Sequence, residues 1–282
     1  MAQRYLALLR ESDLRLLLQA AGEPPGQDDR LERLRSSPAL LGEALGQPSL
    51  FEALFASGER DPLLVASPFL VFSVLVHRVA RDLEETRYVP ERLGRGRAVP
   101  VFDVGGLTAF LADAPHRHFL AELLASYTRV SSGSVWQRTA RGWRRRRYSE
   151  LDPLRLAELL EVAGEDQRAG VCRRLGDLAL FLTGVFPEHV AAHPLEPRHV
   201  ERIRRLLGAE SPDELLLAGG GQDRGIWLLE WMGRQSYRLA APALSDLATV
   251  VDGFGRARRV LNVLTERYLY PSRERWFPDA SG

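Results

Sequence analysis

A mainly α, multi-helix globular assembly with one short arginine-rich β-hairpin is the fold class predicted for this chain. Three observations predict it. Apolar residues recur at three- and four-residue steps over most of the sequence. Helix starts of the form Ser37-Pro38, Gln47-Pro48, Ser67-Pro68 and Asp152-Pro153 punctuate it. One stretch, 135–149, replaces the helical period with β-branched and aromatic residues between glycines. The 282 residues, 45% hydrophobic and 27% charged, suffice to bury a core in one large domain or two small ones, which excludes a disordered chain and a disulfide-stapled mini-protein.

In the first helical segment Tyr5, Leu6, Leu9, Leu14, Leu17 and Leu18 share one side, with a break expected near Ser12-Asp13 or an end at the Gly-Glu-Pro-Pro-Gly run, 22–26. Ser37-Pro38 and Gln47-Pro48 each open a segment of about ten residues. Ser67-Pro68 opens a helix reaching about Thr86, with the hydroxyl as N-cap; its first half is apolar nearly all round and therefore central. That apolar run contains Ser67, Pro68 and Ser73 and is shorter than the roughly 20 residues a bilayer crossing needs.

The next stretch, YVPERLGRGRAVPVF over 88–102, carries two prolines and two glycines without a 3.6-residue period. It is expected to connect an N-terminal helical part, 1–87, to a C-terminal helical part, 103–282. Helices are then expected over 115–130, 153–162, 169–186, 199–207, 226–240 and 242–268. Leu175, Leu178, Leu182 and Phe186 line one face of the third, and Leu244, Leu247, Val251, Phe254, Leu261, Leu264 and Tyr268 form a core-facing stripe on the last.

All 38 cationic residues are arginine, and 37 acidic residues bring the net charge to +1. A globally basic nucleic-acid binder is excluded, whereas a local patch is not. Such a patch exists. Arg138, Arg141, Arg144, Arg145, Arg146 and Arg147 fall between Val135 and Tyr148 with no acid among them, and the other 32 arginines face all 37 acids.

A hairpin turn at Ala140-Arg141-Gly142 places Thr139 opposite Trp143, Arg138 opposite Arg144, Gln137 opposite Arg145 and Trp136 opposite Arg146. One face then carries Trp136, Arg138, Arg144 and Arg146, and the other Trp143, Arg145 and Arg147. Like charges across a hairpin repel, so a polyanion is the expected partner. Arginine forks fit phosphate, and Trp136, Trp143 and Tyr148 offer stacking surfaces for bases. A hairpin that follows a helix resembles the wing of winged-helix DNA-binding domains. The resemblance is confined to the hairpin and the helix before it, and transfers no residue roles.

Other groupings carry less. His189, His193 and His199, with Glu196, have spacings seen in metal sites, but Pro187, Pro194 and Pro197 interrupt the helix that would align them, and no metal is expected. His116 and His118 are expected at the surface and His77 as a satisfied core imidazole. Cys172 reads as a small core residue, and as a lone cysteine it forms no internal disulfide. Glu230, Arg234 and Arg238 read as exposed pairs. The glycines at 105–106, 219–221, 253 and 255 lack a phosphate-loop or dinucleotide fingerprint, so no cofactor is expected. No nucleophile elbow or His-Glu-x-x-His motif nominates a catalytic residue.

The N-terminal residues show no signal-peptide pattern, and a cytoplasmic location without membrane attachment is expected. The functional expectation is a non-catalytic cytoplasmic binding protein that engages nucleic acid through the hairpin. Two alternatives stand beside it. One is a helical scaffold or protein-interaction subunit with the hairpin docked on an acidic surface; the other is a helical enzyme or small-ligand protein with a pocket near Trp227, Trp231 and His77.

Overall fold

The computed structural model describes residues 6, 8–22, 28–55, 60–94, 97–139, 142–209, 223–244 and 247–280. The chain is mainly helical, and among the described residues the strands form two antiparallel two-stranded sheets. It divides into two units, Met1–Arg87 with Val104–Thr128, and Tyr88–Asp103 with Arg129–Gly282.

The first unit contains α1 (Glu11–Ala20), α2 (Asp28–Ser36), α3 (Pro38–Leu45), α4 (Pro48–Phe55), the single turn α5 (Pro62–Val65), α6 (Pro68–Glu84), α7 (Val104–Ala112) and α8 (Ala114–Ser126). Its axis is α6, packed by α8, α7, α4 and α3. Ser67 Oγ accepts from Leu70 N at 3.2 Å, the cap its sequence promised. Leu70, Val71, Phe72, Leu75, Val76 and Val79 are fully buried, each contributing about 1.5–3 kcal/mol relative to an exposed side chain. The buried Asp13 carboxylate ties two helix starts together, accepting from Arg10 N at 2.7 Å and from Ser67 N at 2.9 Å. The break expected near Ser12-Asp13 is thus the beginning of α1, whose first turn contains that carboxylate.

The second unit begins with β1 (Val89–Gly94) and β2 (Arg97–Val101). The run expected as a plain connection is therefore a hairpin, with Val89 opposite Val101 and Glu91 opposite Val99. Its prolines, Pro90 and Pro100, face each other across it. In a two-stranded sheet both strands are edges, where proline is tolerated. The second hairpin is β3 (Ser132–Thr139) and β4 (Gly142–Ser149).

Helices α9 (Pro153–Ala157), α10 (Glu165–Val185), α11 (Pro187–Ala192), α12 (Pro197–Leu207), α13 (Asp223–Ala240), α14 (Ala248–Leu264) and α15 (Arg273–Trp276) follow. The segment expected as one helix over 153–162 splits into α9 and a 3-10 turn, Glu158–Glu161. The helix expected from Pro242 starts at Ala248, because Ala241 to Ala243 turn the chain after α13. It runs on into a π turn, Thr265–Leu269.

Helices α10, α13 and α14 pack on one another to make the core. They approach closely at Gly176, where a Cβ would overlap the Tyr237 ring, and at Gly233, where one would lie 2.7 Å from Phe254. Tyr237 Oη donates to Asp177 Oδ1 at 2.8 Å, so the buried phenol is satisfied. The carbonyls at the end of α10 also find partners. Asn262 Nδ2 donates to Thr183 O and Gly184 O at 3.1 and 2.7 Å, and Arg273 donates to Val185 O at 3.0 Å.

Candidate nucleic-acid interface

The arginine-rich stretch does form an antiparallel hairpin, but its register differs by one residue from that expected. Thr139 pairs with Gly142, Arg138 with Trp143, Gln137 with Arg144, Trp136 with Arg145, Val135 with Arg146 and Ser134 with Arg147. Residues 140 and 141, Arg141 among them, lie outside the described residues. Gly142 supplies the positive φ, +108°.

Electrostatics accounts for this register. The expected pairing set Arg138 against Arg144, whereas the observed one places each β4 arginine opposite an uncharged residue. The faces change with it. Directly opposed residues share a face and successive ones alternate, so positions 136, 138, 143, 145 and 147 lie on one face and 135, 137, 144, 146 and 148 on the other. Trp136 and Trp143, expected on opposite faces, therefore share one.

Both indoles are exposed, at 63% and 69% of their surface. Arg145, directly opposite Trp136, is exposed too, and its Nε donates to Ser134 Oγ at 2.8 Å, a hydroxyl rather than a carboxylate. Tyr148 goes elsewhere. It is half-buried across from Gly133, and a Cβ on that glycine would lie 3.1 Å from its ring, so the tyrosine expected as a stacking partner covers a strand glycine. At the hairpin's foot Glu150 Oε2 accepts from Ser131 N and from Arg174 Nη2, both at 3.0 Å, anchoring the strand ends to α10.

The remaining sequence candidates have structural partners of their own. His189 and His193 stand with ring centroids 4.6 Å apart, but α11 ends before His193 and α12 starts after Glu196. Among the described residues no three His, Cys, Asp or Glu side chains gather as metal ligands. Cys172 is buried in α10, and burial pushes its thiol pKa up while Arg168 pulls it down. Gly219 to Gly221 lie outside the described residues.

The histidines expected at the surface are half-buried. His116 stacks on Phe110 with centroids 4.1 Å apart, and His118 lies 6.3 Å from Phe69. Burial, and then the Arg117 charge, lower His118 to about 4; burial, Arg117 and His118 lower His77 to about 3. His77 borders a cleft of about 220 Å³ beside Phe51, Arg78 and Arg81. A second cleft of about 260 Å³ lies beside Asn262, Thr265 and Arg273.

Sequence reasoning paired Glu230 with Arg234 but missed the buried cluster to which they belong. Glu230 is buried, not exposed, and its carboxylate accepts from Arg258 Nε at 3.0 Å and from Arg234 Nη2 at 2.6 Å. Arg258, fully buried, also pairs with Glu91 on β1, and Glu91 accepts from Arg259 Nε at 3.0 Å. Gly255 lies against the cluster, where a Cβ would sit 3.3 Å from Arg234 and 3.5 Å from Glu230. Three arginines share two carboxylates here, and the cluster ties β1 to α13 and α14, which makes it a strut for the first hairpin.

The chain matches no family model, no curated protein and no solved structure.

Proposed function

We propose that this protein is a non-catalytic, cytoplasmic binding protein that engages nucleic acid through the β3–β4 hairpin. One observation carries the reading: two largely exposed tryptophans share a face of a ribbon that holds five of the six clustered arginines and no acid from Val135 to Tyr148. Exposed indoles lose the gain of burial until something covers them. A concentrated set of guanidinium groups favours phosphate oxygens, which it can grip two at a time. Nucleic acid supplies phosphates and aromatic faces together, so it answers both needs with one ligand.

The test is a mobility-shift titration of the full chain and of Arg144→Glu/Arg145→Glu/Arg146→Glu at several salt concentrations. Each phosphate contact contributes about 0.7–0.9 to the slope of log affinity against log salt. Wild type is expected to bind with a steep salt dependence, and the triple variant to lose most of that slope and at least about tenfold in affinity. Absence of a shift by wild type, or an equal shift by the variant, overturns the proposal.

A further inference from the structure

Resting on that reading, we infer that the ligand is single-stranded nucleic acid, bound with unpaired bases stacked on Trp136 and Trp143. The register carries the inference. Trp136 pairs with Arg145 and Trp143 with Arg138, so the tryptophans are diagonal neighbours on one face. Diagonal positions lie about 7–8 Å apart, somewhat less between Cβ atoms, close to two steps of a stacked strand at about 3.4 Å per nucleotide. A run of about three nucleotides spans both rings. Arg145 stands directly across from Trp136, and positions 138 and 147 continue the same face, so cationic positions flank the indoles where a backbone leaving the stacked bases would pass.

A duplex fits this face poorly. Paired bases cover each other's flat surfaces, so an indole reaches one only by unstacking a step at a cost of a few kcal/mol. Edge readout in a groove uses polar forks rather than paired indoles. Stacking on an unpaired base is indifferent to base identity, so weak sequence preference is expected. Tyr148 lies on the opposite face against Gly133 and takes no part.

Four probes separate the outcomes: a single-stranded oligothymidylate of about 15 nucleotides, a duplex of the same length, inorganic polyphosphate, which has charge but no bases, and anionic phospholipid vesicles. They are titrated against wild type, Trp136→Ala/Trp143→Ala and Trp136→Phe/Trp143→Phe, with circular dichroism melts confirming that each variant folds. Wild type is expected to prefer the single strand over the duplex, with quenching of part of the signal from its five tryptophans. The alanine pair should lose at least about thirtyfold on the oligothymidylate and nothing on polyphosphate. The phenylalanine pair should keep most of the affinity and lose the quenching.

Equal or tighter duplex binding that the alanine pair leaves intact overturns the single-strand inference while the hairpin remains a nucleic-acid site. Failure of wild type to bind either nucleic acid overturns both readings. So does binding to anionic phospholipid vesicles, but not to oligothymidylate, that requires the tryptophans.

Discussion

The second unit contains two antiparallel hairpins that resemble each other in topology and differ in where their charges lead. In β1–β2, Val89 and Glu91 are buried, and Glu91 meets Arg258 and Arg259 from α14. In β3–β4, the described side chains near the tip are exposed, and Arg145 bonds back to its own ribbon through Ser134. An isolated two-stranded hairpin is marginal in water, so both need outside support. The first obtains it at Glu91 from a buried ion cluster and from helices α11, α13 and α14 packed on β1; the second obtains it at its foot, from Glu150, Ser131 and Arg174. A strand acid met by helix arginines builds a hairpin into the core, whereas in the second ribbon Arg145 bonds to a hydroxyl of its own strands beside two exposed indoles.

The contrast breaks most sharply at Arg258. Arg258→Ala takes the shared cation from buried Glu91 and Glu230, each of which keeps one other arginine, Arg259 or Arg234, so the loss is that of two charge-assisted hydrogen bonds at about 1.5–3 kcal/mol each. Urea denaturation should show the midpoint falling with little change in slope. A loss below about 1 kcal/mol would mean that the first hairpin depends on this cluster no more than the second does.

Acid should weaken the first unit, which contains neither hairpin. His77 and His118 stay neutral in the folded chain down to about 3 and 4, while the unfolded chain takes up those protons near 6.5. The unfolded state therefore binds more protons in between. The stability contributed by the neutral imidazoles is complete above about pH 6.5 and falls as pH drops below it, by about 1.4 kcal/mol per pH unit for each histidine, until the folded values are reached. Melts from pH 7.5 to 4.5 test this, and His118→Gln should flatten the profile. An unchanged profile would mean that the imidazoles are hydrated.

A smaller effect is expected at the foot of the second hairpin. Glu150→Ala removes the acceptor from Ser131 N, an exposed bond, and from Arg174, a part-buried one, and should cost about 1 kcal/mol. Amide hydrogen exchange should quicken across β3–β4 and not across β1–β2. Equal quickening in both would erase the distinction.

Legibility in the sequence followed the range of each interaction. Helix starts at Ser67 and Asp152 were readable because a cap lies within three residues of the amides it accepts from. The second hairpin was readable as an element, because glycines and aromatics are local signals. Its register was not: closing the ribbon with Thr139 opposite Gly142 shifts every pair by one, and only the cross-strand cost of Arg138 against Arg144 argued for the shift. The Glu91–Arg258 pair joins residues 167 apart. No local pattern on α14 distinguishes an arginine bound for the core from one bound for solvent, and Glu230 was misplaced for the same reason.

The smallest stability effect is the most telling for function. Trp136 and Trp143 keep 63% and 69% of their surface exposed, so Trp136→Ala/Trp143→Ala gives up little buried area. It should move the urea midpoint by no more than about 0.5 kcal/mol, the usual range for surface substitutions. Large aromatic side chains that stabilise nothing in their own fold need an external reason to stand on a solvent face. A loss above about 1.5 kcal/mol would show the indoles packed in solution, making the second hairpin a built-in element like the first and removing the surface on which binding depends.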